Sequence, residues 1–305
     1  KVFGVALTIT VLLSFYLAGT IARPIRRLAA AAEQVRFTHN RQVKIPTFPG
    51  RTDEIGELAQ ILSEMTEALW ARMDAIEGFA ADVAHEIKNP LTSLHSAVET
   101  IARVEDPDQQ RKLMGIIQED VRRLDRLISD ISDASRLDAE LSRAETDEVD
   151  LAGMLDIVVE IQNSTGTDGG PQIDLLLPEH RKLTVQGIEG RLVQVFRNII
   201  ANAVSFSPPG GAIMVRAVRA VDTIEIEVID DGPGIPAGKE ADIFERFYSE
   251  RPESEAFGTH SGLGLNISKQ IVEAHGGRVW AENRIGKAQE VIGARFVVRL
   301  PASKS

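Results

Sequence analysis

Residues 85–90 read HEIKNP and lie in the middle of a long helical pattern. Apolar residues recur through this region every three or four positions and define one buried helix face: Ile76, Phe79, Val83, Ile87, Leu91, Leu94, Val98 and Ile101. His85 lies two residues from its neighbours on that face, so we expect it to point toward solvent. Glu86 follows it, and Asn89 lies one helical turn further on. An exposed histidine with these neighbours is a candidate reaction site, although a solvated surface histidine is the commoner explanation.

A pair of asparagines marks a second candidate site in the C-terminal half. The stretch from Arg191 to about Phe206 has a helical pattern, and within it Asn198 and Asn202 are one turn apart on one face. This spacing suits a shared ligand or cation. Each asparagine taken alone could be an ordinary polar position.

Two glycine-containing turns follow that pair. Asp230-Asp231-Gly232-Pro233-Gly234 comes after an alternating strand, so a carboxylate at the strand end can accept a hydrogen bond from a base amino group, and the glycines allow backbone to approach a ligand. Gly262-Leu263-Gly264-Leu265 precedes a predicted helix that runs to about His275. Free N–H groups at a helix start suit phosphate. Singly, each motif is also compatible with a plain turn.

Together and in this order, the motifs resemble those of a sensor histidine kinase of two-component signalling. The resemblance extends from about Arg23 to Leu300. Its matches are the phosphoacceptor H box at 85–90, the N box at 198–203, the G1 box at 230–234, the F box at 243–248 and the G2 box at 262–265. The segment from Phe79 to Leu141 is similar to the ChvG-like branch of alphaproteobacteria.

The resemblance implies an ATP site on a Bergerat-type domain. The adenine would bind Asp230 near Gly232 and Gly234, and the phosphates would lie against the backbone of Gly262, Leu263 and Gly264. Asn202, supported by Asn198, would hold Mg²⁺. Arg246 and Tyr248 would reach the phosphates from the side of the segment that precedes the G2 box.

The same resemblance assigns roles to the first motif. His85 would attack the γ-phosphate of ATP, with Glu86 orienting the ring and accepting its proton. The phosphoryl group would then pass to an aspartate of a response regulator receiver domain. Asn89 would orient water for the reverse phosphatase reaction.

The N-terminus has the composition of a transmembrane helix. Residues 2–22 carry no charge, and about 20 apolar residues span a bilayer. Arg23, Arg26 and Arg27 follow at once, which predicts that the rest of the chain lies on the cytoplasmic side. The family resemblance implies that the membrane is a bacterial inner membrane. A cleaved signal peptide is the alternative. Because the chain starts with lysine, we expect a sensor domain and a first membrane helix to precede it.

Four domains are predicted: a transmembrane helix at 1–22, a HAMP-like relay at 23–72, a helical hairpin at 73–145 and an α/β sandwich at 150–302. The relay resembles a HAMP module in its order of helix, connector and second helix, and a plain coiled-coil linker is the alternative. In the hairpin, the first helix runs to about Arg103 and Pro107 starts the second. Two such amphipathic helices predict a homodimer with a four-helix bundle. Pro90 is expected to kink the first helix.

The C-terminal domain is predicted from irregularly alternating strands and helices. Strands are expected at 172–177, 183–186, 212–220, 223–230, 277–282 and 295–300, and helices at about 151–162, 191–206 and 263–275. Residues 236–261 have little periodicity, which predicts a functional lid or a disordered loop.

Composition narrows the function classes. The chain has 305 residues, no cysteine and a net charge of -11, which excludes disulfides and cysteine metal sites and argues against a general nucleic-acid binder. Two other classes remain: an ATPase with the same nucleotide fold but no phosphoacceptor, and a membrane scaffold with an inactive kinase site. The His85 hairpin argues against the first, and the intact motifs argue against the second.

Overall fold

The computed structural model describes residues 1–37, 44–141, 146–165, 169–178, 182–248 and 261–303. The chain divides into two compact units, residues 1–84 and 85–305, each described by itself below.

The first unit begins with a continuous helical stretch. Helix α1 (Val2–Leu17) passes into a π-helical segment (Ala18–Ala22) and then into α2 (Arg23–Phe37). In the part of the chain that the structure describes, Val2–Arg36 is the one helix long and apolar enough to cross a membrane, judged by length and composition. The large apolar side chains of α1 are exposed in this single chain, as a lipid-facing helix requires.

A small apolar core joins α2, the connector after it and the start of α3 (Glu54–Ile101). Its members, buried or packed against the buried ones, are Leu28, Ala31, Val35, Ile45, Phe48, Ile55, Ala59 and Leu62. At the end of the connector, Arg51 donates to Asp53 at 2.6 and 2.8 Å and to the carbonyl of Thr20, in the π-helical segment, at 2.7 Å. A Cβ on Gly56 would lie 2.5 Å from the carbonyl oxygen of Arg51, so this glycine lets the connector meet α3.

The second unit contains the hairpin formed by the end of α3 and by α4 (Pro107–Leu141). Helix α3 remains one helix through Pro90. Its apolar face, predicted to be buried, is only partly covered in one chain: Leu91 and Val98 are 51% and 56% exposed. On α4, Val121 and Ile128 are exposed to a similar degree. These side chains need a further helix to cover them.

The remainder of the unit is a layered α/β domain. A five-stranded mixed sheet has the order β2 (Gln172–Leu176), β4 (Ala212–Arg219), β5 (Thr223–Ile229), β7 (Val291–Pro301) and β6 (Arg278–Ile285). Only β2 and β4 are parallel neighbours. A separate antiparallel pair joins β1 (Asp147–Asp150) to β3 (Thr184–Gly187). Three helices, α5 (Leu151–Thr165), α6 (Glu189–Phe206) and α7 (Gly264–Ala274), pack with these strands.

The core lies between the helices and the large sheet. Helix α6 contributes a fully buried stripe, as its three-and-four spacing requires: Leu192, Val195, Phe196, Ile199, Ile200 and Ala203. Ile224, Ile226 and Val228 of β5 are buried, as their alternation predicts. Glu227, on the opposite face, is also buried and pairs with Arg216 at 2.7 Å and Arg295 at 3.5 Å.

Several elements differ from the predicted ones. Strand β1 was not predicted, and β6 and β7 extend beyond the expected 277–282 and 295–300. Within the segment predicted as a lid or disordered loop, Asp242–Phe244 forms a 3₁₀ turn with Phe244 buried at 3% exposure. Residues 249–260 of that segment lie outside the described residues.

Candidate functional site

A cavity of about 230 Å³ opens between α6, the end of β5 and the start of α7. Seven of the predicted nucleotide residues line it: Asn198, Asn202, Asp230, Gly234, Tyr248, Gly262 and Gly264. The structure therefore brings together motifs that are separated by as much as 66 positions in sequence, as the bond between Asn198 and Gly264 illustrates.

Asp230 is the buried carboxylate of this cavity, with 3% exposure. Its Oδ1 accepts hydrogen bonds from the backbone N–H groups of Gly232 at 2.9 Å and Ala294 at 3.0 Å. Both bonds use the same oxygen, so Oδ2 is left as an acceptor for a ligand. Burial raises the pKa of the Asp230 carboxyl, and the two backbone donors oppose that shift only in part.

The turn after Asp230 is held in place by strand β6, a contact that was not predicted from the sequence. Asn283 of β6 donates to the carbonyl of Ile235 at 2.7 Å and accepts from its N–H at 2.6 Å. Gly234 has φ of +79°, and a Cβ there would lie 2.2 Å from Val291. The glycine is therefore needed both for its backbone angle and for the close contact with β7.

Two further residues near Asp230 were missed. Arg284 donates to the carbonyl of Asp230 at 2.7 Å and to the Asp231 carboxylate at 2.8 Å. Gly293 has φ of +148°, and a Cβ there would lie 1.9 Å from the carbonyl oxygen of Asp230. A glycine inside a strand is a known sign of close backbone approach, so Gly293 could have been found from sequence.

The two asparagines occupy the wall formed by α6. Asn198 Nδ2 donates to the carbonyl of Gly264 at 3.1 Å, which ties α6 to the start of α7. Because the amide nitrogen is used in this way, Oδ1 of Asn198 is its remaining acceptor. Asn202 is half-buried one turn later on the same face of α6.

The far end of the cavity is built by the turn that precedes α7. Gly262 has φ of +72°, and a Cβ there would lie 2.8 Å from Cα of Phe247. Phe247 itself has φ of +58°, and its N–H donates to the Gly262 carbonyl at 2.9 Å. The Leu263 N–H donates to Oγ of Ser261 at 3.2 Å. This turn thus presents backbone at a helix start, the arrangement that suits phosphate.

Three predicted nucleotide residues do not line the cavity. Gly232 supports Asp230 through its N–H, Leu263 is buried with 1% exposure, and Arg246 is exposed. Tyr248 does line the cavity.

The predicted phosphoacceptor motif lies on α3, outside this cavity lining. His85 and Asn89 are exposed, as the helix periodicity predicts. Glu86 is half-buried, and its carboxylate accepts a hydrogen bond from Arg123 of α4 at 3.1 Å. This ion pair across the hairpin fixes the residue beside His85. It could not be predicted from local spacing, because the two residues are 37 positions apart.

The donor set of the cavity fits Mg²⁺ held together with a nucleotide. Among the described residues there is no group of three histidine, cysteine or acidic side chains able to form a metal cage. Mg²⁺ needs no such cage, because it keeps several waters and binds through one or two protein oxygens and the substrate phosphates. The amide oxygens of Asn198 and Asn202 on the wall of the cavity are suitable donors.

Helix α4 also reaches the cavity, which the sequence analysis missed. Arg126 and Asp130, one turn apart, both line it. Asp130 accepts a hydrogen bond from the hydroxyl of Ser261. Burial raises the pKa of the Asp130 carboxyl, an effect that the Ser261 hydrogen bond opposes.

Comparison with family models divides the chain into three matched regions. Residues 16–71 match the HAMP domain, residues 75–140 match the His Kinase A (phospho-acceptor) domain, and residues 187–304 match the histidine kinase-, DNA gyrase B- and HSP90-like ATPase family. These ranges contain the helical relay, the His85 hairpin and most of the cavity lining respectively.

Two curated relatives are similar to nearly the whole of this chain. The sensor protein ChvG of Rhizobium meliloti (strain 1021) is 52% identical over 99% of this chain and 54% of its own length. The sensor protein ChvG of Agrobacterium fabrum (strain C58) is 50% identical over 100% of this chain and 52% of its own length. The chain thus spans about half the length of the curated relatives that it matches.

A solved structure supports the fold. The histidine kinase ThkA, crystallised in complex with the response regulator protein TrrA, superposes with a TM-score of 0.60 and covers 82% of this chain and 68% of its own. At 24% identity this likeness concerns the fold alone. The predicted fold class, with an apolar N-terminal helix, HAMP, helical hairpin and α/β ATPase domain, is confirmed.

Proposed function

The chain belongs to the sensor histidine kinases of two-component signalling, with similarity to the ChvG branch, and on that basis we propose that it transfers the γ-phosphoryl group of ATP to His85. The observation that carries the proposal is the cavity in which a buried carboxylate, two amides and a glycine turn meet in the same unit as an exposed histidine.

The cavity residues divide between the two ends of the nucleotide. Oδ2 of Asp230 accepts a hydrogen bond from the adenine amino group, and its Oδ1 is occupied by Gly232 and Ala294. The backbone at Gly262 and Gly264 receives the phosphates. Tyr248 closes one side of the cavity. Arg246, an exposed residue two positions before Tyr248, supplies positive charge near the phosphates.

Asn202 and Asn198 would hold Mg²⁺, which supplies charge neutralisation for the phosphates when it is bound. Asn198 is already positioned by its bond to Gly264, so its amide oxygen is presented at a fixed place in the cavity wall. Positioning and charge stabilisation supply most of the rate enhancement in phosphoryl transfer.

The transfer itself is carried by His85. A ring nitrogen attacks the γ-phosphorus, the bond from that phosphorus to the β–γ bridging oxygen breaks, and ADP leaves with the electron pair. The ring proton passes to the Glu86 carboxylate, whose place is set by its ion pair with Arg123. The phosphoryl group then passes to an aspartate of a response regulator. Asn89, exposed one turn beyond His85, orients water for dephosphorylation of that regulator.

The remaining parts fit a membrane receptor. The apolar helix Val2–Arg36 anchors the chain in the bacterial inner membrane with the later domains in the cytoplasm, as the arginines after residue 22 indicate. The exposed apolar side chains of the hairpin, Leu91, Val98, Val121 and Ile128 among them, are covered in a homodimeric four-helix bundle.

Labelling with γ-³²P ATP tests the proposal. The chain should acquire a label that is lost in acid and stable in alkali, as an N–P bond requires. His85→Gln should abolish the label and leave ATP affinity within a few fold, because His85 does not line the cavity. His95→Gln is the matched control, since His95 is another exposed histidine on α3. A label that persists in His85→Gln would remove His85 from the reaction.

A further inference from the structure

Helix α4 of the hairpin touches the phosphate end of the cavity at Asp130. The Asp130 carboxylate accepts a hydrogen bond from the Ser261 hydroxyl, and the same hydroxyl oxygen accepts from the Leu263 N–H at 3.2 Å. Three groups are thus linked in a chain that runs from the backbone at the start of α7 to a carboxylate on α4.

This series of hydrogen bonds occupies groups that a bound polyphosphate would need. The Leu263 N–H belongs to the glycine turn that faces the cavity, and here its hydrogen bond is made to Ser261. Asp130 itself lines the cavity and carries a carboxylate to the place where phosphate charge would accumulate. Like charges at close range repel, and the repulsion is stronger where both are partly removed from water.

The contact belongs to a stripe of three acidic residues on α4 that faces the ATPase domain. Asp133, one turn after Asp130, accepts from Gln194 of α6 at 3.5 Å. Glu140, two turns later, accepts from Arg191 of α6, with Nε at 2.9 Å. Neither Gln194 nor Arg191 lines the cavity, so only the Asp130 end of the stripe meets the nucleotide site.

We infer that the Asp130–Ser261 contact is a latch that holds the ATPase domain against α4 and that the phosphates of ATP open it. The inference rests on the proposed nucleotide site and adds its regulation. Binding of the triphosphate draws the backbone of the glycine turn to itself and places anionic oxygens beside Asp130, so the carboxylate and the turn separate. Release leaves the bonds of Asp133 and Glu140 to α6 in place, so it is the phosphate end of the domain that can move relative to the hairpin that carries His85. Adenosine, which has no phosphate, leaves the latch closed.

If the latch exists, ATP affinity should depend on whether the ATPase domain is held against α4. Because the closed latch competes with phosphate, its removal should tighten binding of ATP between about twofold and tenfold, the worth of one net hydrogen bond. Asp130→Ala removes the acceptor and keeps helix propensity. Asp125→Ala is the matched control, since it removes the same charge from an exposed position on the same helix.

Docking can be measured directly because the chain has no cysteine of its own. Cysteines introduced at Glu119 on α4 and Asp174 on β2, both exposed, accept spin labels, and dilution with unlabelled chain isolates the distance within one protomer. A non-hydrolysable ATP analogue should lengthen this distance in the parent, while adenosine should not. Asp130→Ala, which removes the acceptor, should show the longer distance without nucleotide. Ser261→Ala, which removes the donor, should also show the longer distance.

Affinity measured on the same samples separates this inference from the proposed function. If the ATP analogue does not bind, the nucleotide site itself is wrong. If the analogue binds and the distance stays short, or if Asp130→Ala leaves both distance and affinity as in Asp125→Ala, the latch is overturned and the nucleotide site stands.

Discussion

The substitution Asp230→Asn isolates base recognition from every other part of the site. Oδ1 of Asp230 holds two backbone N–H donors at 2.9 and 3.0 Å. An asparagine can keep both bonds only with its amide oxygen in that position, because the opposite orientation would set its NH₂ group against two N–H donors. Its Nδ2 must therefore face the ligand in place of the carboxylate Oδ2.

The expected loss follows from one hydrogen bond. The adenine amino group loses an anionic acceptor and meets another donor, which costs about 1.5–3 kcal/mol, or roughly tenfold to 150-fold in ATP affinity. Inosine triphosphate has an oxygen acceptor in place of the amino group, so it should bind Asp230→Asn better than ATP does and reverse the preference of the parent. Titration with both nucleotides measures the switch, and Asp231→Asn, whose side chain lies outside the cavity lining, is the control.

Asp230→Asn should lower ATP affinity without lowering the melting temperature of the protein. Burial raises the pKa of Asp230 in the folded protein above its unfolded pKa of 3.8. The neutral carboxyl therefore contributes fully to the free energy of unfolding below pH 3.8, and this contribution is lost as the pH rises through the folded pKa. At neutral pH, without nucleotide, Asp230→Asn should therefore melt at the same temperature as the parent or higher. Equal weakening of ATP and inosine triphosphate, or a variant that melts much earlier, would refute this account of Asp230.

Three other substitutions test separate parts of the molecule. Asn202→Ala should weaken Mg²⁺-dependent ATP binding by about tenfold or more and leave metal-free binding unchanged, as titrations with and without chelator would show. Asn89→Ala should keep autophosphorylation and melting temperature but lengthen the lifetime of the phosphorylated regulator; equal lifetimes contradict the water-orienting role. Gly293→Ala should cost about 1–3 kcal/mol of unfolding free energy and also weaken nucleotide binding, since its Cβ would press on the Asp230 backbone.

The elements that carry the motifs were predictable because their signals are local. The buried face of α6, the alternation of β5 and the glycines before α7 each depend on residues within a few positions of one another. The spacing of Asn198 and Asn202 on one turn is a property of any helix, so their shared wall of the cavity followed from the sequence.

The parts that were missed depend on pairing between distant segments. Strand β1 reads Asp-Glu-Val-Asp, with Val149 its only apolar residue, and it exists as a strand through its register with β3. Asn283 clamps Ile235 from 48 positions away, and Asp130 meets Ser261 from 131 positions away. No periodicity encodes such contacts. They are consequences of the sheet order and of how α4 lies against the ATPase domain.

Helix α4 joins the two halves of the proposed reaction. At Arg123 it holds Glu86, the neighbour of the phosphoacceptor, and at Arg126 and Asp130, within the next two turns, it reaches the nucleotide cavity. Because a helix is stiff over two turns, a shift of α4 that changes one contact must change the other. A rearrangement of the hairpin therefore changes the orientation of Glu86 and the contact between Asp130 and Ser261 together. One movement of α4 can thus control both the geometry at His85 and the release of the phosphate end of the ATPase domain.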